Sequence, residues 1–446
     1  MSKFYNKFLE NLVLPAGDAL LGTAYIEKLK EWRHIQPLSR DDLKEMQKSS
    51  LNNLLSFAVN NSPFYKGLQI PHDPDPYQWI KNFPIMTKKV IKENIDQLVL
   101  NDPTKLVKVS SSGSSGVQGV VYLDKKVHST QLAIQTLWWE WAGFKLGDRI
   151  LQTGMTMDRG FVKATKDYLL NTKYIPAYKL DRETILDVLK DLKKNPRKFM
   201  LGYASSLYVI AKLAEETGVD DIQFESVISW GDKMFPHFRN LIEKQFNTKV
   251  YDTYGCAEGF MIAAECAQHH YHIMTPLLHL EILDDDGNDV PYGELGNVVV
   301  TRLDNYAMPI IRYYLGDLAI MDDPGATCTC GMHFPLLKKI IGRDTDIVKT
   351  RSGKYMIVHV FTGIFEFISE IRQFRVVQKN LDGIEIEFIK DKGFGPHVLE
   401  QVRSKINEYL EEDFPINFKE VDHIPPTPSG KPQIIQSFLK QSESKT

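Results

Sequence analysis

Between a serine-rich stretch at Val109–Tyr122 and about residue 260, short apolar, β-rich runs alternate with amphipathic helical patterns. Parallel strands need long crossovers, so this alternation predicts a mainly parallel sheet covered by helices. Apolar spacing predicts helices over Ser129–Trp141, Asp181–Lys193 and Ser205–Glu216, with strands over Arg149–Thr153, Ser226–Ser229 and Lys249–Tyr251. Residues 1–100 read as mostly helical, and Asn61-Ser62-Pro63 ends the pattern of Leu43–Val59. From His279 to Ile320 short strands and tight turns replace the alternation, which predicts an antiparallel, partly barrel-like subdomain. A third pattern starts near Arg343, with a hairpin turn at Arg351–Lys354 and a helix expected over Phe361–Arg372. Strands over Phe374–Gln378, Ile384–Ile389 and Ile416–Val421 and a helix over Pro396–Leu410 complete a small α+β unit. The expected fold class is therefore α/β. A large N-terminal domain, residues 1–342, precedes a small C-terminal α+β domain, residues 343–446.

Composition narrows the function. A chain of 446 residues with a net charge of −3 lacks the basic surplus of a nucleic-acid binder. It contains no 18-residue apolar run, so no membrane partner is expected. The N-terminus lacks a continuous apolar core before a small-residue cleavage site and reads as mature protein. Four cysteines in so long a chain do not make a disulfide framework, which fits a reducing cytoplasm.

Five segments carry chemistry. The stretch Val109–Tyr122 holds five serines and three glycines, whose amides and hydroxyls can surround an oxyanion. A Ser/Gly stretch is also simply a flexible loop. Tyr251–Glu258 follows a short apolar run, and ligand sites lie at the carboxyl ends of parallel strands. There Tyr254 can stack on a base and Glu258 can hold a divalent cation; a strand end with a structural tyrosine is the plainer alternative. Arg312–Asp317 offers Asp317 beyond a glycine turn, suited to accept from ribose hydroxyls. Gly342–Asp346 places charges on a glycine-flanked boundary suited to a hinge, and Pro425–Lys431 is a stiffened loop presenting one ammonium. Each of these is otherwise an ordinary turn or linker.

In this order and at these separations the five segments resemble the core motifs of the adenylate-forming superfamily of acyl-CoA synthetases. The closer resemblance is to its phenylacetate–CoA ligase-like branch, which includes coenzyme F390 synthetases and capsule-associated relatives. Gly202–Tyr208 and Trp230-Gly231-Asp232 also fall where that branch has comparable segments, and the likeness runs from about residue 50 to about 435. The resemblance implies attack of a carboxylate on the α-phosphate of Mg·ATP, then displacement of AMP by an acceptor thiol, usually that of CoA. It implies that Ser111, Ser112, Ser114 and Ser115 cradle phosphate and that Gly231, Asp232, Tyr254 and Gly255 line the nucleotide. It further implies Glu258 on Mg²⁺, Asp317 on the ribose, Arg343 near ribose or phosphate, and Lys431 bridging the carboxylate and the α-phosphate. An aromatic or aryl-acetic acid is the implied substrate. The small domain is implied to rotate about Arg343–Asp346 between the two half-reactions.

Three positions depart from the motifs: Val117 replaces a loop lysine, Ala257 a hydroxyl residue and Thr345 the hinge aspartate. A lost hydrogen bond to a charged group costs about 1.5–3 kcal/mol, which slows such a reaction without abolishing it. Cys266, His272, Cys328 and Cys330 together match a closed tetrahedral Zn²⁺ site of the kind the branch often carries. His269, His270 and His333 compete for the nitrogen position, and four unligated thiols are the alternative. Two rival functions stand beside CoA ligation: transfer of the acyl group to an amine or carrier-protein thiol, and a non-catalytic nucleotide-binding scaffold. One sequence does not fix the oligomeric state, a homodimer included.

Overall fold

The computed structural model describes residues 3–110, 119–154, 160–177, 180–343, 347–365, 368, 370–425 and 434–439. Two strands, β1 (Val107–Ser110) and β2 (Val120–Leu123), form an antiparallel pair flanking the serine-rich stretch. Five strands then build a parallel half-sheet: β3 (Ile150–Gly154), β4 (Thr172–Pro176), β5 (Phe199–Tyr203), β6 (Ser226–Trp230) and β7 (Val250–Gly255). The same sheet continues antiparallel through β8 (Met261–Glu265), β9 (Tyr271–Ile273), β10 (Leu278–Leu283), β11 (Leu295–Arg302), β12 (Tyr313–Met321) and β13 (Leu336–Arg343). Its spatial order is β10-β11-β12-β13-β9-β8-β7-β6-β5-β3-β4. The antiparallel region thus begins at Met261, earlier than the expected His279, because β8 and β9 are short and almost fully buried and lack alternation.

Pleating explains the helical cover. Successive side chains of a strand leave opposite faces. Phe199 and Leu201 pack with Ile134 and Leu137 of the helix Lys125–Trp141, whereas Met200 packs on the other face with Ile185, Leu207 and Ile242. Two of these helices begin where a short polar side chain can accept from free amides: Asp124 caps the helix Lys125–Trp141 and Asp181 caps Arg182–Lys194. Residues Pro236–Phe246 and Gly160–Leu169 add two helices that the sequence pattern alone does not mark.

The C-terminal region has its own sheet and core. Strands β14 (Ile347–Lys349) and β15 (Tyr355–Ile357) form a hairpin across the turn at Arg351–Lys354. Strands β16 (Ile371–Asn380), β17 (Gly383–Lys390), β18 (Ile416–Glu420) and β19 (Ile435–Ser437) order as β18-β17-β16-β19. Val376, Ile386, Val402 and Ile406 bury the helix Pro396–Leu410 on that sheet. The helix expected over Phe361–Arg372 instead spans Val358–Phe365, and Ile371 already belongs to β16. Strand pairing with Lys390 claims the residues that helical periodicity would have extended into.

One buried ion pair fixes the helical N-terminal region to the sheet. Arg312, with φ of 56°, lies 3.0 Å from Glu281 and donates to the carbonyls of Lys81 and Phe83. The backbone of Met86 exchanges hydrogen bonds with Arg312 and Tyr314, so the chain just before residue 88 is stitched to the start of β12. Burial raises the Glu281 carboxyl pKa, and the Arg312 guanidinium opposes the shift. Removing one member of a buried pair strands the other charge. Arg312→Met is therefore expected to lower unfolding free energy in urea by about 3–5 kcal/mol. The double variant Arg312→Met/Glu281→Leu should recover much of the loss; equal stability of both variants would refute this role.

Candidate functional site

Strands β5, β6 and β7 end in register, Tyr203 beside Trp230 and Ser229 beside Asp252, so the segments that follow them emerge at one edge of the parallel half-sheet. This is the edge at which parallel sheets bind ligands. After β6 the chain turns at Gly231, whose φ of 76° disfavours a side chain and whose added Cβ would lie 2.6 Å from the Tyr203 ring. The turn presents Asp232, which accepts from the Ser205 hydroxyl at 2.5 Å. Lys233 reaches across to the carbonyl of Ile341 in β13.

Strand β7 delivers Tyr254 and ends at Gly255. Tyr254 donates its hydroxyl to Asp317 Oδ2 at 2.9 Å, and Arg343 Nε lies 3.3 Å from Asp317 Oδ1. Asp317 and Arg343 are cross-strand partners of β12 and β13, which explains why residues 26 positions apart meet. Burial and the neighbouring carboxylate push the Tyr254 phenol well above its ordinary pKa, so it remains a donor. Both oxygens of Asp317 therefore have a fixed companion, and the carboxylate is oriented before any ligand arrives.

Glu258 forms a second centre. It is buried, accepts from the Tyr313 hydroxyl at 3.1 Å, and has Lys88 Nζ 3.4 Å from the same oxygen. Tyr313 stacks on Phe260 and its phenol is held protonated, chiefly by burial. Gly119, the first described residue after the serine-rich stretch, packs so closely that a Cβ there would lie 2.3 Å from Glu258 Oε1. The base of that stretch and Glu258 are thus direct neighbours. Cys256 lies between the two centres, and burial raises its thiol well above the ordinary range, which keeps it from acting as a thiolate.

Ser111, Ser112, Ser114, Ser115 and Val117 lie outside the described residues, as do Thr345 and Lys431. Of the other expected residues, Tyr254, Asp317 and Arg343 come together around one carboxylate, and Glu258 joins Gly119 and Lys88. Gly231 and Asp232 share the same sheet edge. Sequence reading missed Lys88, Tyr313 and Lys233. Lys88 opens a helix capped by Thr87, whose hydroxyl accepts from Val90 N–H; that local signal marks the helix but nothing in it points to residue 258.

Away from this edge, Cys266, His272, Cys328 and Cys330 bring their ligand atoms within 4.8 Å of one another. Cys266 Sγ is 3.5 Å from Cys328 Sγ, and His272 Nε2 is 3.3 Å from Cys330 Sγ. Those spacings approach the edge of about 3.7 Å expected for sulfur ligands tetrahedrally placed about Zn²⁺. The donor set suits that ion. Burial pushes the Cys330 thiol up to about 12, so without a cation this sulfur stays protonated. His270 Nδ1 also approaches Cys328 Sγ at 3.3 Å but is exposed, and His269 is engaged with Arg239.

Residues 348–437 match the model of the CapK C-terminal domain. The chain is 22% identical to Protein CapK of Staphylococcus aureus, with 93% of each chain covered. It is 23% identical to a phenylacetate-coenzyme A ligase of Thermus thermophilus, over 85% of this chain and 88% of that one. Its fold is similar to that of 2-hydroxyisobutyryl-CoA ligase in the postadenylation state, with a TM-score of 0.66 at 18% identity, covering 90% of this chain and 91% of that one. A fold shared at this coverage, relatives aligned along nearly the whole chain and the ordered motifs agree. Together they support the adenylate-forming superfamily and its phenylacetate–CoA ligase-like branch as the group this chain resembles.

Proposed function

We propose that this protein activates an organic carboxylic acid with ATP and transfers the acyl group to the thiol of CoA. An aromatic or aryl-acetic acid is the substrate class favoured by the relatives' names. The observation that carries the reading is Asp317, oriented by Tyr254 and Arg343 at the sheet edge, with Glu258 close by at the base of the serine-rich stretch. Residues 1–342 form the domain that binds ATP and the acid. Residues 343–446 form a mobile domain carrying Lys431. The four free cysteines fit a reducing cytoplasm.

The chemistry follows from charge. A carboxylate oxygen attacks the α-phosphorus, the bond to the β-phosphate oxygen breaks, and pyrophosphate leaves. The resulting mixed anhydride replaces an oxide leaving group by AMP. The acceptor sulfur then attacks the acyl carbon, its proton passes to solvent, and AMP departs. Catalysis of both steps is mostly positioning and stabilisation of phosphoryl charge. Asp317 fixes the ribose hydroxyls, Tyr254 lies against the adenine, and Gly231 and Asp232 bound that pocket. Ser111, Ser112, Ser114 and Ser115 cradle the phosphates. Glu258 would hold Mg²⁺, which when bound neutralises polyphosphate charge. Lys88 compensates the buried Glu258 and supplies, beside the loop, a positive charge that Val117 does not. Lys431 bridges the reacting carboxylate and the α-phosphate. Cys266, His272, Cys328 and Cys330 would hold a structural Zn²⁺ with no open position.

Pyrophosphate release measured over a panel of aryl acids, with and without CoA, tests the function. Acid-dependent release with thioester formation supports it; nucleotide binding without acid-dependent turnover identifies a scaffold, and turnover with an amine or carrier-protein thiol but not CoA identifies the rival acceptor. Lys431→Ala should stop adenylate formation while a supplied acyl-adenylate still yields thioester; equal loss of both half-reactions would remove its assigned role. Lys88→Met should slow adenylation about 10–150-fold, the rate equivalent of losing one charged hydrogen bond, with the second half-reaction little changed. Purified protein should contain one zinc per chain by elemental analysis, and Cys328→Ser should lose it; a metal-free wild type would leave the thiols unligated.

A further inference from the structure

The N-terminal helical segment exposes an apolar ridge that nothing in the proposed reaction uses. It runs from Lys3–Phe8 through a π-helical turn, Leu9–Val13, into Leu14–Leu21, and stops at Gly22 with φ of 64°. Its inner side is docked: Leu9 is fully buried, Tyr5 donates to the carbonyl of Leu169, and both crowd Gly147. Its outer side presents Phe4, Phe8, Leu12, Ala16 and Leu20, all exposed and spaced four residues apart. The four large side chains expose 77%, 42%, 60% and 86% of their surface, and Leu21 exposes 55%.

The spacing is informative. In a pure α-helix an i, i+4 row turns by about 40° at each step and soon leaves its face. The wider i→i+5 turn over Leu9–Val13 rotates the row part of the way back, which keeps Phe4 and Leu20 nearer one face along about 24 Å of helix. A row of large apolar residues held in register toward solvent is an interaction surface.

Charge indicates what it meets. The only acidic residues of the segment point inward: Glu10 pairs with Arg33, and Asp18 accepts from Thr23 Oγ1 and from the Ile26 amide. Exposed cations border the ridge. Lys7 stands between Phe4 and Phe8, and at the far end Lys125 donates to the Leu21 carbonyl, with Lys126 exposed beside it. An apolar ridge with a cationic border and inward acids complements the anionic headgroup region of a lipid bilayer. No helix among the described residues is long and apolar enough to cross a membrane, so this segment would lie in the interface.

We infer that the protein docks reversibly on anionic membranes through Phe4, Phe8, Leu12 and Leu20, with Lys7, Lys125 and Lys126 facing the headgroups. This reverses the expectation of no membrane partner, which rested only on the lack of a spanning run. It is independent of the ligase reading. Full-length protein should pellet with phosphatidylcholine vesicles containing phosphatidylglycerol at least about tenfold more than with phosphatidylcholine alone, and high salt should reduce the difference. Phe4→Ser/Phe8→Ser/Leu12→Ser should abolish pelleting with an unchanged melting midpoint. Leu12→Glu/Leu20→Glu should do the same by repulsion. Wild-type protein that ignores the anionic vesicles, or ridge variants that still pellet, would overturn the inference. So would light scattering in which the wild type is a dimer without vesicles and the ridge variants are monomers, because the ridge would then cover a second copy.

Discussion

Strand β7 is parallel to β6 on one side and antiparallel to β8 on the other, and both candidate centres hang from this seam. Its end carries Tyr254 toward the candidate site, while β8 ends one residue before Cys266. A buried polar cluster holds the seam. Arg239 makes two 2.8 Å hydrogen bonds to Glu265, the Asp252 amide donates to the same carboxylate, and Tyr271 donates to Asp252 at 2.6 Å. Ser229 in β6 completes it with a short hydrogen bond to Asp252, so one network spans β6, β7, β8 and β9. Burial, reinforced by Glu265, pushes the Asp252 carboxyl up to about 7. One guanidinium serving two buried acids is a sensitive arrangement, because deleting it would strand about 3–5 kcal/mol of uncompensated charge. Register follows from this cluster: a one-residue slip would turn Tyr254 and Asp252 together to the other face of the sheet.

The two carboxylates of the candidate site are treated differently by their surroundings. Asp317 has neutral Tyr254 on one oxygen and a partly exposed Arg343 on the other, so it retains the character of an oriented acceptor. Glu258 is deeper, and its charge is matched by Lys88 from a segment more than 150 residues earlier in the chain. The stitching of Met86 to Arg312 and Tyr314 is what delivers that lysine. The helical N-terminal region thus acts as part of the site and not only as cover for the sheet.

Local chemistry made much of this legible in the sequence. Strands β3, β6 and β7 and the helices Lys125–Trp141, Arg182–Lys194 and Ala204–Glu216 announce themselves through their apolar period, and the order of the motifs points to this edge of the sheet. The cysteine spacing indicates a common cluster, but four nearby histidines left the nitrogen donor open until strand pairing placed His272 opposite Leu336. Lys88 was illegible for another reason. Its partner is fixed by a tertiary stitch between Met86 and β12, and no local periodicity encodes such a contact. The helix misplaced at Phe361–Arg372 fails similarly, since cross-strand pairing of Ile371 overrides a favourable helical pattern.

The proposed rotation of the small domain has a location that the packing on either side makes inexpensive. Arg343 is the last residue of β13 and is held by its pairing with Asp317, so it belongs to the large sheet. From Lys349 onward the chain belongs to the small unit, because the Gln378 side chain clamps the Lys349 backbone through both its amide and its carbonyl. Among the described residues, a small apolar cluster and an ion pair join the two. Ile347 packs in a small cluster with Leu318 and Ile341, and Lys349 meets Asp285 in an exposed ion pair at 3.3 Å. An exposed pair contributes about 0–1 kcal/mol, and one buried isoleucine about 1.5–3 kcal/mol. Binding of a substrate that prefers one orientation can supply free energy on that scale, so the swivel requires no large refolding. The same segment places Arg343, assigned to the nucleotide, directly before the pivot. If Arg343 meets the nucleotide as proposed, that contact and the proposed rotation of the C-terminal unit are coupled through three residues of chain.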